Sequence, residues 1–290
     1  MKSPARRGRL AGRLAICCFA LAGCETEISE EFKQQSLGPV NVVDATNMNE
    51  IMLSVGDPDA AVEYFRNALA REPERTEFKR GYAQSLARAG RHSEAVLVYR
   101  QLMDDAEATT TDRLVFATSL MQMSQFDEAE ELLALVPPNA NSYRYNLLMA
   151  MLSDHNEAWV EADLHYDNAR RLTTRPARVL NNWGISHRVR GDSQRAVELF
   201  EEAITFDPEM FEAKNNLVIT RGIEGVYQLP VIPMSETDRA KLYHNLAIVA
   251  LRRNEPETAR GLLERAVETH PQHFAPAAEK LAALDGPVLR

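Results

Sequence analysis

A short apolar pattern repeats along the chain at intervals of 33 or 34 residues. Each copy has an alanine, a residue that is bulky and mainly apolar four positions later, and another apolar residue three positions after that. Offsets of four and three place all three side chains on one face of an α-helix. We therefore predict one amphipathic helix per repeat, whose inner face combines small and large residues. The copies are Ala61/Phe65/Ala68, Ala95/Tyr99/Leu102, Ala129/Leu133/Val136, Ala162/Tyr166/Ala169 and Ala196/Phe200/Ala203.

A second helix is predicted before each of these helices. A small residue stands twelve positions before most of the repeated alanines, whereas the first repeat has Asn49 there. A small side chain allows two antiparallel helices to approach closely, so that their large neighbours interdigitate. The sequence thus predicts a series of helix pairs. The small residues are Ala83, Ala117, Ala150 and Gly184.

One repeat is interrupted. The next alanine pattern, at Ala259, comes 63 residues after Ala196, which is five short of two full periods. Pro230 stands where the missing copy should have its alanine, within the segment GVYQLPVIPMSET. Two prolines so close together break a helix, so an irregular loop is predicted near residues 225–236. Such a loop is either the trace of an insertion or a functional surface. The last segment, residues 274–284, is predicted to cap the array.

The repeated pattern resembles the tetratricopeptide repeat (TPR). The unit from Ala177 to Pro208 fits its signature best, while several earlier units lack the closing proline. The resemblance implies an all-α fold, a right-handed superhelical solenoid of helix-turn-helix repeats with a C-terminal capping helix. It would comprise about six to seven units over residues 42–286. The matching residues are Trp183, Gly184, Ala196, Phe200, Ala203 and Pro208.

The first residues have the pattern of a secretory signal. Five basic residues precede the apolar run LAICCFALA, which is too short to span a bilayer as a helix. The run ends in LAGC, which resembles the lipobox of bacterial lipoproteins and implies cleavage before Cys24 followed by its acylation. We expect a signal peptide over 1–23 and, over 24–41, the acylated cysteine with a flexible acidic tether. The alternatives are a plain signal peptide or a buried N-terminal helix with an incidental cysteine.

Residue 25 indicates to which membrane the lipoprotein is expected to be sorted. In the lipoprotein sorting rule, an aspartate after the acylated cysteine retains the protein at the inner membrane, and this chain has Glu25. The resemblance therefore implies the periplasmic face of the outer membrane, with the protein anchored through Cys24.

Charge and motifs narrow the function classes. The chain has 33 basic and 42 acidic residues, and this acidic excess disfavours nucleic-acid binding. It has no glycine-rich phosphate loop, no HExxH and no GxSxG. His270 and His273 in HPQH have a spacing that a metal could use, but without further ligands we interpret them as structural. We therefore predict neither an enzyme, a cofactor or metal site, nor a small-molecule substrate.

Asparagines are the candidate binding residues. Asn182, Asn216 and Asn245 occupy the same place on consecutive first helices. In several tetratricopeptide proteins, an asparagine at this place on the concave face bonds the backbone of an extended peptide. An amide offers a donor and an acceptor together, which suits a peptide group. The alternative is that each amide bonds a neighbouring helix or faces solvent. The full candidate set is Asn181, Asn182, Asn215, Asn216, Asn245 and Arg188.

The combination of lipobox, tether and repeats resembles the TadD-like lipoproteins of the tight adherence (Tad) pilus system. That resemblance implies a protein partner, a secretin or another Tad component, whose assembly or localisation the scaffold assists during Flp pilus biogenesis. The alternative is an adaptor for peptidoglycan hydrolases or for outer-membrane barrel assembly. An enzyme with a cryptic site and a cytoplasmic adaptor with an unprocessed N-terminus are two further alternatives.

Overall fold

A computed structural model describes residues 42–137 and 140–285, and every regular element within these ranges is an α-helix. The fourteen helices follow one another with short connections, apart from the loop at 224–235. They are α1 (Val42–Ser54), α2 (Pro58–Arg71), α3 (Thr76–Arg88), α4 (His92–Met103), α5 (Thr110–Gln122), α6 (Phe126–Ala134), α7 (Tyr143–His155), α8 (Trp159–Arg171), α9 (Ala177–Val189), α10 (Ser193–Phe206), α11 (Phe211–Ile223), α12 (Glu236–Arg252), α13 (Pro256–Thr269) and α14 (Ala275–Asp285).

The chain divides into two units, residues 1–51 and residues 52–290. The first is described only from residue 42, within helix α1. The predicted signal peptide, Cys24 and the acidic tether lie outside the described residues. Within the described ranges, no helix combines the length and the apolar character needed to cross a bilayer.

Local sequence determines where several helices begin. Asp57 accepts a hydrogen bond from the backbone N–H of Ala60, 2.9 Å away, and Pro58 occupies the first turn of α2. At α5, Thr109 and Asp112 form a capping box, in which each side chain accepts a bond from the other residue's backbone N–H. These caps satisfy amide groups that have no partner inside the helix. Ser142 and Ser235 cap α7 and α12, where their side chains accept hydrogen bonds from the backbone N–H groups of Tyr145 and Asp238.

The predicted inner face of the repeats is confirmed. All five repeated alanines are fully buried, and so are the bulky residues that follow them, including Phe65, Tyr99 and Phe200. Two details differ from the prediction. Ala68 is only half-buried, and α6 ends at Ala134, so the buried Val136 lies in the following turn. Pro137 accounts for the early end, because the residue before a proline avoids helical geometry.

The interruption lies where the sequence predicts it. Residues 224–235 contain no helix, and α12 follows directly. The loop nevertheless packs on both sides. Ile232 contacts the apolar core around α9 and α10, whereas Leu229 and Met234 contact the core built from α12, α13 and α14. The loop therefore takes over the packing role of the missing second helix.

This packing role predicts unequal effects within the loop. Ile232→Ala should lower the free energy of unfolding by about 1–2 kcal/mol, because a partly buried isoleucine loses its apolar contacts. Val231→Ala is the matched control, since the Val231 side chain is fully exposed. Urea unfolding followed by circular dichroism measures both. Equal effects of the two variants would contradict a packing role for the loop.

Candidate functional site

A groove runs across the first helices of four consecutive repeats, α3, α5, α7 and α9. Its volume is about 500 Å³. Because one groove touches all four helices, they line a common concave surface. The repeat period explains why equivalent residues of successive first helices line the groove. Gln84 and Thr118 are separated by the repeat spacing, as are Arg88 and Gln122. The groove also contains apolar surface from Val115, Leu147 and Met151.

The groove is basic although the chain as a whole is acidic. Arg88, Arg144, Arg178 and His92 line it, and no aspartate or glutamate does. Arg88 donates to the backbone oxygens of Met52 and Gly56, at 2.7 and 2.8 Å. Arg144 and Arg178 are exposed. Among the described residues, neither has a carboxylate within ion-pair distance.

Tyr143 lies in the groove beside these two arginines. Burial raises the pKa of its hydroxyl above the ordinary value, and the charges of Arg178 and Arg144 oppose the rise. The hydroxyl therefore stays protonated at neutral pH, and it remains available as a hydrogen-bond donor.

The structure joins four of the candidate residues on α9 and α11. The side chain of Asn216 donates to Asn181 at 2.9 Å and accepts from Arg188 at 3.2 Å. Asn181 in turn makes a long contact of 3.4 Å with Asn182. Burial lowers the pKa of the Arg188 guanidinium from its ordinary value, and its partner here is a neutral amide. The network therefore holds a half-buried cation that no described carboxylate neutralises.

A second amide pair continues the pattern. Asn245 on α12 donates to Asn215 on α11 at 2.7 Å. In each pair, one partner is the first asparagine of an Asn-Asn sequence, Asn181 or Asn215. The other, Asn216 or Asn245, stands at the second-asparagine position of the following first helix. The sequence predicts the equivalence of Asn182, Asn216 and Asn245, but it does not predict this diagonal pairing. The pairing depends on how far each first helix is displaced along its neighbour.

Asn182 differs from the other asparagines. Among the described residues, its amide nitrogen has only the sulfur of Met151 as a partner, at 3.9 Å, and its oxygen has only the long contact with Asn181. Weak contacts of this length leave most of the amide's hydrogen-bonding capacity unused. Asn182 lines the groove and is partly exposed. Of the predicted residues, it is therefore the one best placed to contact a bound segment.

An apolar socket opens beside the groove, among α6, α7, α8 and α9. Its volume is about 350 Å³, and Met151 and Asn182 line both the socket and the groove. The Phe126 ring stacks on His155 with a centroid distance of 3.8 Å. The remaining apolar lining comes from Trp159, Ile185 and Val189.

Asp154 also lines the socket, where polar groups hold it in place. Tyr166 donates to this carboxylate at 2.7 Å and Ser186 donates at 2.5 Å. Burial raises the pKa of Asp154 above its ordinary value, while these two hydrogen bonds oppose the rise. The carboxylate is therefore occupied by the protein's own donors, and the apolar walls define the socket.

Sequence reasoning missed the arginines of the groove and the socket. A signal for both was present, because Arg144 and Arg178 are separated by the repeat spacing, and so are Met151 and Ile185. Partly or fully exposed residues at the repeat spacing recur on the same side of successive first helices. The repeated packing motif consists mainly of buried residues and does not include these positions.

No metal centre is indicated by the described part of the chain, which has no group of three or more His, Cys, Asp or Glu with suitable placement. His270, half of the HPQH pair, accepts a hydrogen bond from the backbone N–H of Gln272 at 3.1 Å. Its ring stacks on Phe274 with a centroid distance of 4.9 Å. These contacts are structural ones.

Comparisons with known proteins identify the repeat. Tetratricopeptide-repeat family models match residues 53–108 and 239–274. No curated protein matches the chain.

Solved structures show the same fold at low identity. The APC/C hetero-tetramer Cut9–Hcn1 is 16% identical with a TM-score of 0.59, over 87% of this chain and 51% of that one. The chain thus spans about half the length of that protein. A tetratricopeptide repeat protein from Parabacteroides merdae is 17% identical with a TM-score of 0.53, over 84% of this chain and 98% of that one. A human IFIT1 dimer with PPP-AAAA is 16% identical with a TM-score of 0.56, over 78% of this chain and 59% of that one.

The prediction of an all-helical tetratricopeptide solenoid is confirmed. Arrays of this repeat present a binding surface for other proteins and are typically non-enzymatic. The chain is accordingly suited to act as a protein-interaction scaffold.

Proposed function

We propose that this chain of tetratricopeptide repeats is a lipid-anchored scaffold that binds a partner protein at the periplasmic face of the outer membrane. Cys24 is the anchor. The partner is a secretin or another component of the Tad system, and the scaffold assists its assembly or localisation during Flp pilus biogenesis.

The groove is the observation that carries the proposal. It crosses α3, α5, α7 and α9 and ends at Asn182, whose amide is almost unbonded. A continuous groove of this kind accommodates an extended segment, and a free amide bonds a peptide group without selecting its side chain. These features suit recognition of a protein segment.

The membrane location has separate support. The basic residues before LAICCFALA, the LAGC sequence and Glu25 favour export, acylation and outer-membrane sorting. The acyl chains attached to such a cysteine each add about 0.8 kcal/mol of membrane affinity per buried CH₂.

Affinity purification of the full lipoprotein from its native envelope in mild detergent tests the proposal. We expect a secretin to co-purify, and Asn182→Ala to reduce its recovery without changing the protein's stability. The loss of one hydrogen bond is worth about 0.5–1.5 kcal/mol of binding. Mass spectrometry of the N-terminal peptide should show cleavage before Cys24 and an acylated cysteine.

Asn216→Ala is the matched comparison. Asn216 bonds both Asn181 and Arg188, so its loss should lower the free energy of unfolding by about 1 kcal/mol. Recovery of murein hydrolases or barrel-assembly proteins without a secretin would replace the Tad assignment with the alternative. An intact Met1 with unmodified Cys24 would refute the lipid anchor.

A further inference from the structure

Two independent features indicate what kind of segment the groove accepts. They are the arginines of the groove and the neighbouring socket. From them we infer that the groove and socket together bind an extended acidic segment of the partner protein, which inserts one large apolar side chain between α6, α7, α8 and α9. This inference rests on the proposed function as a partner-binding scaffold.

Charge complementarity favours an acidic segment. The net charge of the chain is −9, yet the groove lining contains three arginines and a histidine without any carboxylate. Arg88 donates to backbone oxygens, whereas Arg144 and Arg178 have no carboxylate within ion-pair distance among the described residues. Arg guanidinium groups bind carboxylates with paired hydrogen bonds, and a cluster of them repels a basic segment.

The socket favours one apolar anchor within that segment. Its apolar walls include Phe126, Trp159, Ile185 and Val189, and Met151 and Asn182 line both the socket and the groove. Each carboxylate oxygen of Asp154 already accepts one hydrogen bond, from Tyr166 or from Ser186. A large aliphatic or aromatic side chain buries apolar surface there and fixes the register of the segment along the groove.

The extent of the groove sets the length of the segment. Adjacent packed helices are about 8–10 Å apart, so four first helices span roughly 25–30 Å. An extended chain advances about 3.3 Å per residue, so roughly eight or nine residues cover that distance. These dimensions fit a short linear segment of the partner.

Peptide binding to the full lipoprotein in detergent tests the inference. The probe is a fluorescein-labelled peptide of about nine residues in which glutamates flank a central phenylalanine. Two control peptides replace the glutamates by lysines or the phenylalanine by serine. By fluorescence anisotropy, we expect the acidic phenylalanine peptide to bind about tenfold more tightly than either control, with an affinity that falls as salt is added.

Two matched pairs of variants locate the binding. Arg144→Gln/Arg178→Gln should weaken binding of the acidic peptide about tenfold. Arg66→Gln/Arg171→Gln removes the same charge at exposed positions outside the groove and should change the affinity less than about twofold. Val189→Gln, at the socket, should weaken binding about fivefold, whereas Val160→Gln, at a comparably exposed position outside the socket, should not.

The outcomes separate this inference from the proposed function. Equal binding of the lysine peptide, equal binding of the serine peptide, or no binding of the acidic peptide at about 1 mM would overturn the inference. So would a dimer, detected by analytical ultracentrifugation, that Arg144→Gln/Arg178→Gln dissociates, because a second copy would then occupy the groove. If a secretin co-purifies equally with that double variant, the scaffold function stands and the groove assignment fails. If the peptides behave as expected but no secretin co-purifies, the groove assignment stands and the Tad assignment fails.

Discussion

Phe200→Ala should lower the free energy of unfolding by about 3–5 kcal/mol, because it removes a fully buried aromatic ring from the contact between α9 and α10. Gly184 faces this ring so closely that an added Cβ would lie 2.6 Å from its Cε1 atom. Because α9 and α10 are already in close contact at Gly184, they cannot move much closer together to fill the space that the ring leaves. A cavity therefore remains.

Urea unfolding followed by tryptophan fluorescence measures the effect, because Trp183 on α9 belongs to the same apolar core as Phe200. Val160→Ala is the control, since that side chain on α8 is exposed. A loss below about 1 kcal/mol for Phe200→Ala would show that the helix pair collapses around the missing ring.

Arg80→Met should be destabilising by about 3 kcal/mol, because it leaves a buried carboxylate without its cation. The Asp112 side chain is 0% exposed, and the Nε atom of Arg80 donates to both of its oxygens at 3.0 and 2.9 Å. Arg80 lies on α3 and Asp112 on α5, so this pair connects the first helices of neighbouring repeats. The hydrogen bonds from Thr109 remain in the variant and moderate the loss.

Hydrogen exchange of the α3 and α5 amides, together with urea unfolding, measures this effect. The exposed pair of Arg66 and Glu63 provides the control, since Arg66→Met should cost less than about 1 kcal/mol. Equal losses in the free energy of unfolding for Arg80→Met and Arg66→Met would contradict this prediction. They would mean that the buried Asp112 pair contributes no more to stability than the exposed pair. The variant Asp112→Asn/Arg80→Met should recover part of the stability, because it removes the buried charge.

The candidate site could be predicted only in part. Asn182 was predicted as a candidate for peptide contact, and the structure leaves its amide nearly unbonded at the end of the groove. Asn216 and Asn245 are candidates for the same role, and in the structure their amides bond other asparagines between first helices. A bound segment would have to compete with those bonds. At Asn182 the equivalent position on the preceding first helix is Leu147, whose side chain cannot accept such a bond.

The sequence by itself determined the repeat, the helix pairs and the interruption at Pro230. These follow from local rules: a period of 33 or 34 residues, small residues at close contacts, and the inability of proline to continue a helix. Only the tertiary structure decided the diagonal pairing of Asn181 with Asn216 and the assembly of Arg144 and Arg178 into one basic groove. Such features join side chains about one repeat apart. They depend on the displacement and rotation of each helix against the next, which arise from the packing of the whole array.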